Sequence, residues 1–388
     1  MIQCCACYRE FEHKKTIALV LSFAVADMLL FPRVSFPFSL PISIFPVLFL
    51  CFTKKLDIKS TLVFLIILIC LMLSVFNSVI LYGNEYFQDN SKRALQLVTV
   101  LSYHFVFINN RINKKQILFI LRVFFVWVAF MAFWFWVDPI GQMQFQNIIY
   151  PESMGIHESN LAGMRFSYSF QDPNSAGYLV AMALAVYLII EKSVLLKGGL
   201  TTLAIVVTLA TQSRGAMISV AILLLAYAVL ADKKGFLLRV FFAVLLCAFF
   251  SFVLVSTQYL TIISDLFNAR AGLEDSLGGG RLSKYIYFIS NMNFLPFGVG
   301  YNLEVNHLKF RPHSDVIRLV LSYGLLVFSF MVYKCRPRCV EHIFLMIPFV
   351  IGFLINTIID DYRLFGFFLL GLVVLSQEKN KLHAKNMS

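Results

Sequence analysis

Apolar runs alternate with short polar ones along the whole chain, and that alternation predicts an all-α polytopic membrane protein. A helix crosses a bilayer with roughly 20 apolar residues. About twelve such runs begin near Thr16, Val34, Thr61, Arg93, Gln116, Pro173, Val194, Gly215, Phe236, Ser314, Val340 and Tyr362. The seventh and eighth join through Thr211–Arg214, the eleventh and twelfth through Ile359-Asp360-Asp361. No internal repeat interrupts them. The chain therefore reads as one integral membrane domain, residues 1–388, in which two polar segments outgrow the others: 138–172 and 258–313.

The positive charges orient the runs. Numbered from a cytoplasmic N-terminus, the loops holding Lys14/Lys15, Lys54/Lys55/Lys59, Arg111/Lys114/Lys115, Lys192/Lys197, Lys233/Lys234/Arg239 and Lys334/Arg336/Arg338 all fall inside. So does the tail with Lys379, Lys381 and Lys385. Short basic loops belong on the cytoplasmic side, which places both termini there and both long segments outside. Long ordered loops in a compact protein usually carry function. The cysteines agree, because none lies in an outer loop where oxidation threatens. Thr16–Phe31 reads as a first span with no small-residue cleavage site, hence not as a signal peptide.

Composition sharpens the class. Hydrophobic residues make up 59% of the 388 and charged residues only 14%, against about 25% in a soluble domain. A net charge of +12 would suit nucleic acid, but the basic residues sit in short clusters between apolar runs, so no nucleic-acid partner is expected. The N-terminal Cys4-Cys5-Ala6-Cys7 lacks a second His/Cys pair at zinc spacing and reads as a thiol-rich tail; no metal or cofactor is expected. Gly278-Gly279-Gly280 is followed by no Lys-Ser/Thr and reads as a hinge, not a phosphate loop.

The polar segment 258–313 is where chemistry concentrates. It carries Arg270, Arg281, Lys284, Lys309 and Arg311, and it delivers His313 to the first turn of an apolar helix. A basic segment on the side that positive charge avoids points to an anionic ligand. His313 follows Pro312 at a helix start and suits a general base. Asp315 could orient it, although pairing with Arg318 one turn on is the stronger reading. Arg214, between Ser213 and Gly215, sits where a helix begins at the outer surface. It reads either as an interfacial anchor or as part of an anion site at a helix N-terminus. Asp172 and Asn174 flank Pro173 and suit a helix first turn, with a polar contact at the outer mouth as the alternative.

Ser213-Arg214-Gly215-Ala216, an Arg in a long outer loop, Leu295-Pro296-Phe297-Gly298-Val299-Gly300 and the stretch from Pro312 to Leu326 together resemble the O-antigen polymerase and O-antigen ligase superfamily. The resemblance covers roughly Phe170 to Leu326; the N-terminal runs agree only in number and hydrophobicity. It implies glycosyl transfer at the periplasmic face of the bacterial inner membrane, from a glycan on undecaprenyl pyrophosphate. By position it implies that Arg214 and Arg281 bind the pyrophosphate and that His313 activates the acceptor hydroxyl for an inverting attack. Ser314 and Asp315 depart from the Asn-Ser commoner there, which leaves the partner of His313 open. The resemblance makes O-antigen polymerase the first expectation, with a ligase acting on lipid A–core as the alternative. Expected partners are the lipid-linked oligosaccharide, membrane lipid and a chain-length regulator protein.

The chemistry stands without the family. Outside the cytoplasmic membrane a transferase needs a lipid-activated donor, and pyrophosphate is already a good leaving group. Arginines hold it by charge-assisted forks and a histidine removes a proton. No Asp-x-Asp motif appears, so a metal-held sugar nucleotide is not expected. A flippase is the rival from another class; it would carry its key charges near the bilayer midplane, whereas these sit at the outer surface.

Overall fold

The computed structural model describes residues 2–31, 40–53, 58–107, 113–150, 163–230, 286, 290, 296–300, 304–305, 308–309, 315–356, 358–359 and 361–386. Within them the regular elements are helices and one two-stranded hairpin. The helices are α1 (Ile2–Leu30), α2 (Ile44–Thr53), α3 (Ile58–Tyr82), α4 (Phe87–Phe107), α5 (Lys114–Val137), α6 (Pro139–Ile149), α7 (Pro173–Ile190), α8 (Val194–Thr211), α9 (Arg214–Leu230), α10 (Asp315–Cys335), α11 (Val340–Ile355) and α12 (Tyr362–Asn386). Strands β1 (Glu304–Val305) and β2 (Leu308–Lys309) pair antiparallel.

Five described stretches are long and apolar enough to cross a membrane: 61–107, which joins α3 to α4, then Lys114–Val137, Pro173–Ile190, Val194–Thr211 and Val316–Cys335. Shorter apolar helices cover Arg214–Leu230, Val340–Ile355 and Tyr362–Ser376. This is a polytopic architecture, with fewer full-length spans described than the dozen expected. The run expected from Phe236 lies outside the described residues. Of the run expected from Val34, residues 34–39 lie outside the described residues and the described part forms a ten-residue helix, α2. The Pro41 carbonyl accepts the Ile44 N–H at the turn that starts the helix. Ten residues rise only about 15 Å, half a bilayer core.

Helix α7 is the centre. It packs against α5, α8, α9, α11 and α12. Nearly every residue from Pro173 to Ile190 is buried, including Tyr178, Met182 and Tyr187. A helix apolar all round belongs inside, and its small residues let neighbours approach. A Cβ on Gly177 would sit 2.6 Å from the Ala216 Cβ of α9 and 3.0 Å from the Thr211 Oγ1. Between α11 and α12, Phe349 stacks on Phe368 with centroids 3.7 Å apart.

Helix ends sort into two layers. At one, Arg122 of α5 donates to Glu191 at the end of α7, through Nη2 at 2.5 Å and Nε at 3.0 Å. Burial pushes the Glu191 carboxyl up, but the Ser193 N–H, the Arg122 guanidinium and the Lys192 N–H outweigh it and hold the group below its ordinary value. At the opposite layer, Arg363 in the first turn of α12 is only 1% exposed. It donates to the Met28 carbonyl at 3.1 Å and to Ser169 Oγ at 2.6 Å. A cation there satisfies carbonyls that the end of α1 leaves open.

Helix α10 is broken in mid-course. Gly324 has φ 80° and ψ 172°, outside helical geometry. The carbonyls of Leu321 and Ser322 accept instead from the N–H groups of Val299 and Gly300, each at 2.9 Å. Ser74 of α3 donates to the Ser322 carbonyl and accepts from Gly300 N at 3.1 Å, while Asn77 donates to the Gly298 carbonyl at 3.1 Å. A broken membrane helix persists only where protein re-satisfies its backbone, and residues 298–300 do so here. Gly298 and Gly300 both hold positive φ, and a Cβ on Gly298 would overlap the Ser322 backbone.

Candidate functional site

The segment 163–172, the end of the long segment expected at 138–172, packs as a cap over α7 and α8. Phe166, Tyr168 and Phe170 are buried beneath it. Its upstream part is not loop either: Pro139–Ile149 forms α6, with Asp138 accepting from Gly141 N at 2.9 Å. Tyr168 donates to the Leu29 carbonyl at 3.0 Å, and the Tyr150 and Tyr168 hydroxyls meet at 3.3 Å. Among the described residues, three non-glycines hold positive φ: Met164, Tyr168 and Gln212. All three belong to this cap or its seam with α8. Such strained backbone gathers at functional sites.

Two helix N-termini open under the cap. Asp172 caps α7, accepting from Asn174 N and from Asn174 Nδ2 at 3.0 Å each, with Pro173 in the first turn. The capping reading of this pair therefore holds, and the Asn174 side-chain oxygen accepts from Arg165. α8 ends with Gln212 in the left-handed region, and α9 begins at once with Arg214, which is exposed. Ser213 Oγ accepts from Ala216 N at 3.4 Å. Gly215 lets this start lie against α7, since a Cβ there would overlap the Tyr178 hydroxyl. Adjacent N-termini concentrate partial positive charge and donors, the arrangement that binds phosphate.

Arg165 completes the group, and sequence reasoning passed over it. Its Nη2 donates to Asn174 Oδ1 at 3.2 Å and its Nε to the Thr211 carbonyl at 3.3 Å. Phe166 N donates to the Ala210 carbonyl at 3.0 Å, so the cap closes the open end of α8. Its signal in the sequence is a lone Arg in the long polar segment 138–172.

Of the other expected site residues, Arg281, Arg311 and His313 lie outside the described residues. The backbone of Asp315 opens α10, but its side chain is not among those described, so its pairing with Arg318 is not tested. Arg318 lies on the first half of α10, at 5% exposure. Among the described residues no group of three His, Cys, Asp or Glu could hold a metal ion.

No curated protein matches the chain. Residues 199–332 match the model of the family described as O-Antigen ligase, about a third of the 388 residues. The matched stretch runs from α8 through α10 and so contains Arg214, Arg281, His313 and Arg318. Across these residues the chain is similar to the O-antigen ligase domain family, which includes O-antigen polymerases and ligases.

Proposed function

We propose that this protein is a glycosyltransferase of surface polysaccharide synthesis, an O-antigen polymerase of the bacterial inner membrane. It moves a glycan from undecaprenyl pyrophosphate to a hydroxyl of a lipid-linked repeat unit at the periplasmic face. One observation carries the reading: exposed Arg214 begins α9 beside the N-terminus of α7, within the family-matched stretch. Two helix starts and a guanidinium suit a pyrophosphate better than a neutral sugar.

In the proposed reaction Arg214 and Arg281 hold the pyrophosphate by bidentate bonds. His313 takes the proton of the acceptor hydroxyl as its oxygen attacks the anomeric carbon. The bond from that carbon to the phosphate oxygen breaks, and the electron pair leaves with undecaprenyl pyrophosphate. Charge grows on the leaving group, where fixed cations stabilise the transition state most. Transfer with inversion needs no metal and no cofactor.

The second reading is a ligase that transfers the glycan to lipid A–core, favoured by the family description itself. A lipopolysaccharide gel of a deletion strain, with a parallel extract of lipid-linked glycan, separates the two. Core with a single repeat and no ladder supports the polymerase. Bare core with long polymer stranded on the carrier supports the ligase. An unchanged ladder and unchanged carrier glycan defeat both.

A further inference from the structure

A basic pocket lies at the end of the bundle opposite the start of α9. α10 ends and α11 begins there, and their junction carries Lys334, Arg336 and Arg338. These three line one pocket with His104 of α4, His342 of α11 and Ser376 of α12. Among the described residues none of the three cations is salt-bridged. Lys334 Nζ rests over the rings of Phe105 and Phe330, at 5.1 and 5.4 Å, and Arg336 covers Tyr333 at 4.2 Å. Aromatic faces hold these cations in place without neutralising them.

The histidines differ in a telling way. Arg338 N donates to His342 Nδ1 at 3.2 Å, so the other nitrogen of that ring, Nε2, bears the hydrogen and reaches Ser376 Oγ at 3.0 Å. Ser376 in turn donates to the Leu372 carbonyl at 2.8 Å. That ring is satisfied and forms a wall. His104 is only 4% exposed, yet neither ring nitrogen has a hydrogen-bond partner among the described residues. A buried imidazole without a partner is costly, and it always carries at least one N–H donor. Here it lines a pocket ringed by unneutralised positive charge.

We propose that this pocket binds a phosphate group, presented by an anionic membrane lipid. Lys334 and Arg338 supply charge, His104 supplies the buried donor, and Arg336 closes the rim. The charge pattern favours a lipid source, because a basic pocket between helix ends at the bilayer surface meets headgroups at high local concentration. Such a lipid would brace α4, α10, α11 and α12 at the end away from the proposed transfer site. Among the described residues Glu341, beside His342 in the first turn of α11, is the acidic neighbour, and it interacts with the Cys339 side chain.

The test uses the purified full chain in mild detergent. Phosphatidylglycerol, phosphatidylcholine or inorganic phosphate is added, and thermal unfolding and lipid retention by native mass spectrometry are read. The wild type should retain phosphatidylglycerol at least tenfold better than Lys334→Gln/Arg338→Gln, and severalfold better than His104→Phe. Phosphatidylcholine should be retained equally by all. The single Arg338→Gln, an exposed change, serves if the double variant folds poorly. Stabilisation by inorganic phosphate alone, lost in the same variants, would support the phosphate chemistry and assign a soluble source. Equal retention and equal stabilisation in wild type and variants would overturn the proposal.

Discussion

Arg165 and Asn174 are joined by a hydrogen bond of 3.2 Å from guanidinium to side-chain carbonyl, and the same guanidinium reaches the Thr211 carbonyl. One cation thus ties the last turn of α8 to the first turn of α7, beside the start of α9. Its position couples the cap to the N-terminus of α7 and to the C-terminal end of α8.

Arg165→Ala is expected to remove most polymerisation while the protein still accumulates in the membrane. Arg165→Lys should recover little, because a point charge cannot span both acceptors. Lipopolysaccharide ladders with quantified protein levels check this; wild-type ladders from both variants would exclude Arg165 from the site.

Arg214→Ala and Arg281→Ala should each abolish most activity, with Lys a poor substitute at either position. The informative readout is chain length at matched expression. Normal chain lengths in both alanine variants would end the pyrophosphate role.

His313→Ala distinguishes transfer from transport. A transferase losing its base falls by about 10²–10⁴-fold, whereas a flippase tolerates the change. Radiolabelled lipid-linked repeat supplied to membrane vesicles measures the transfer step, and unaltered turnover would favour transport. Added chelator should leave this turnover intact; a loss restored by divalent metal would refute the metal-free mechanism.

Gly298→Ala should destabilise the fold more than Gly83→Ala. Both glycines have positive φ, near 70°, and that conformation alone costs an alanine about 1–2 kcal/mol. A Cβ on Gly83 meets nothing within 4 Å, whereas on Gly298 it overlaps the Ser322 backbone at the break in α10. Thermal unfolding in detergent ranks the two; equal losses would mean that residues 298–300 do not brace α10.

Stability should fall on acidification through Glu191. Its carboxyl is held below the ordinary value in the fold, so its contribution is full above the usual glutamate range and is lost as pH drops through the folded value. Arg122 is 39% exposed on its side chain, which screens the pair and keeps the effect modest. Unfolding midpoints of wild type and Glu191→Gln between pH 7 and pH 4 should converge at the acid end.

The sequence by itself determined the helical membrane class and the positions of several helices, because apolar runs and basic loops respond to the bilayer one segment at a time. Starts expected near Pro173, Val194, Gly215 and Val340 match α7, α8, α9 and α11 within a residue. Arg214 and the Asp172 cap were legible for the same reason, since capping residues and small neighbours act locally. Long-range pairing was not. The break at Gly324 depends on Ser74, 248 residues before the carbonyl it captures. Arg165 gained its place only when Thr211, 46 residues later, came to meet it. Buried His104 and Lys334 lie on helices far apart in the chain, yet they line one pocket. Those contacts follow from which helix faces pack together. No local pattern encodes that choice, because it is settled by close packing and by the need of every buried polar group for a partner.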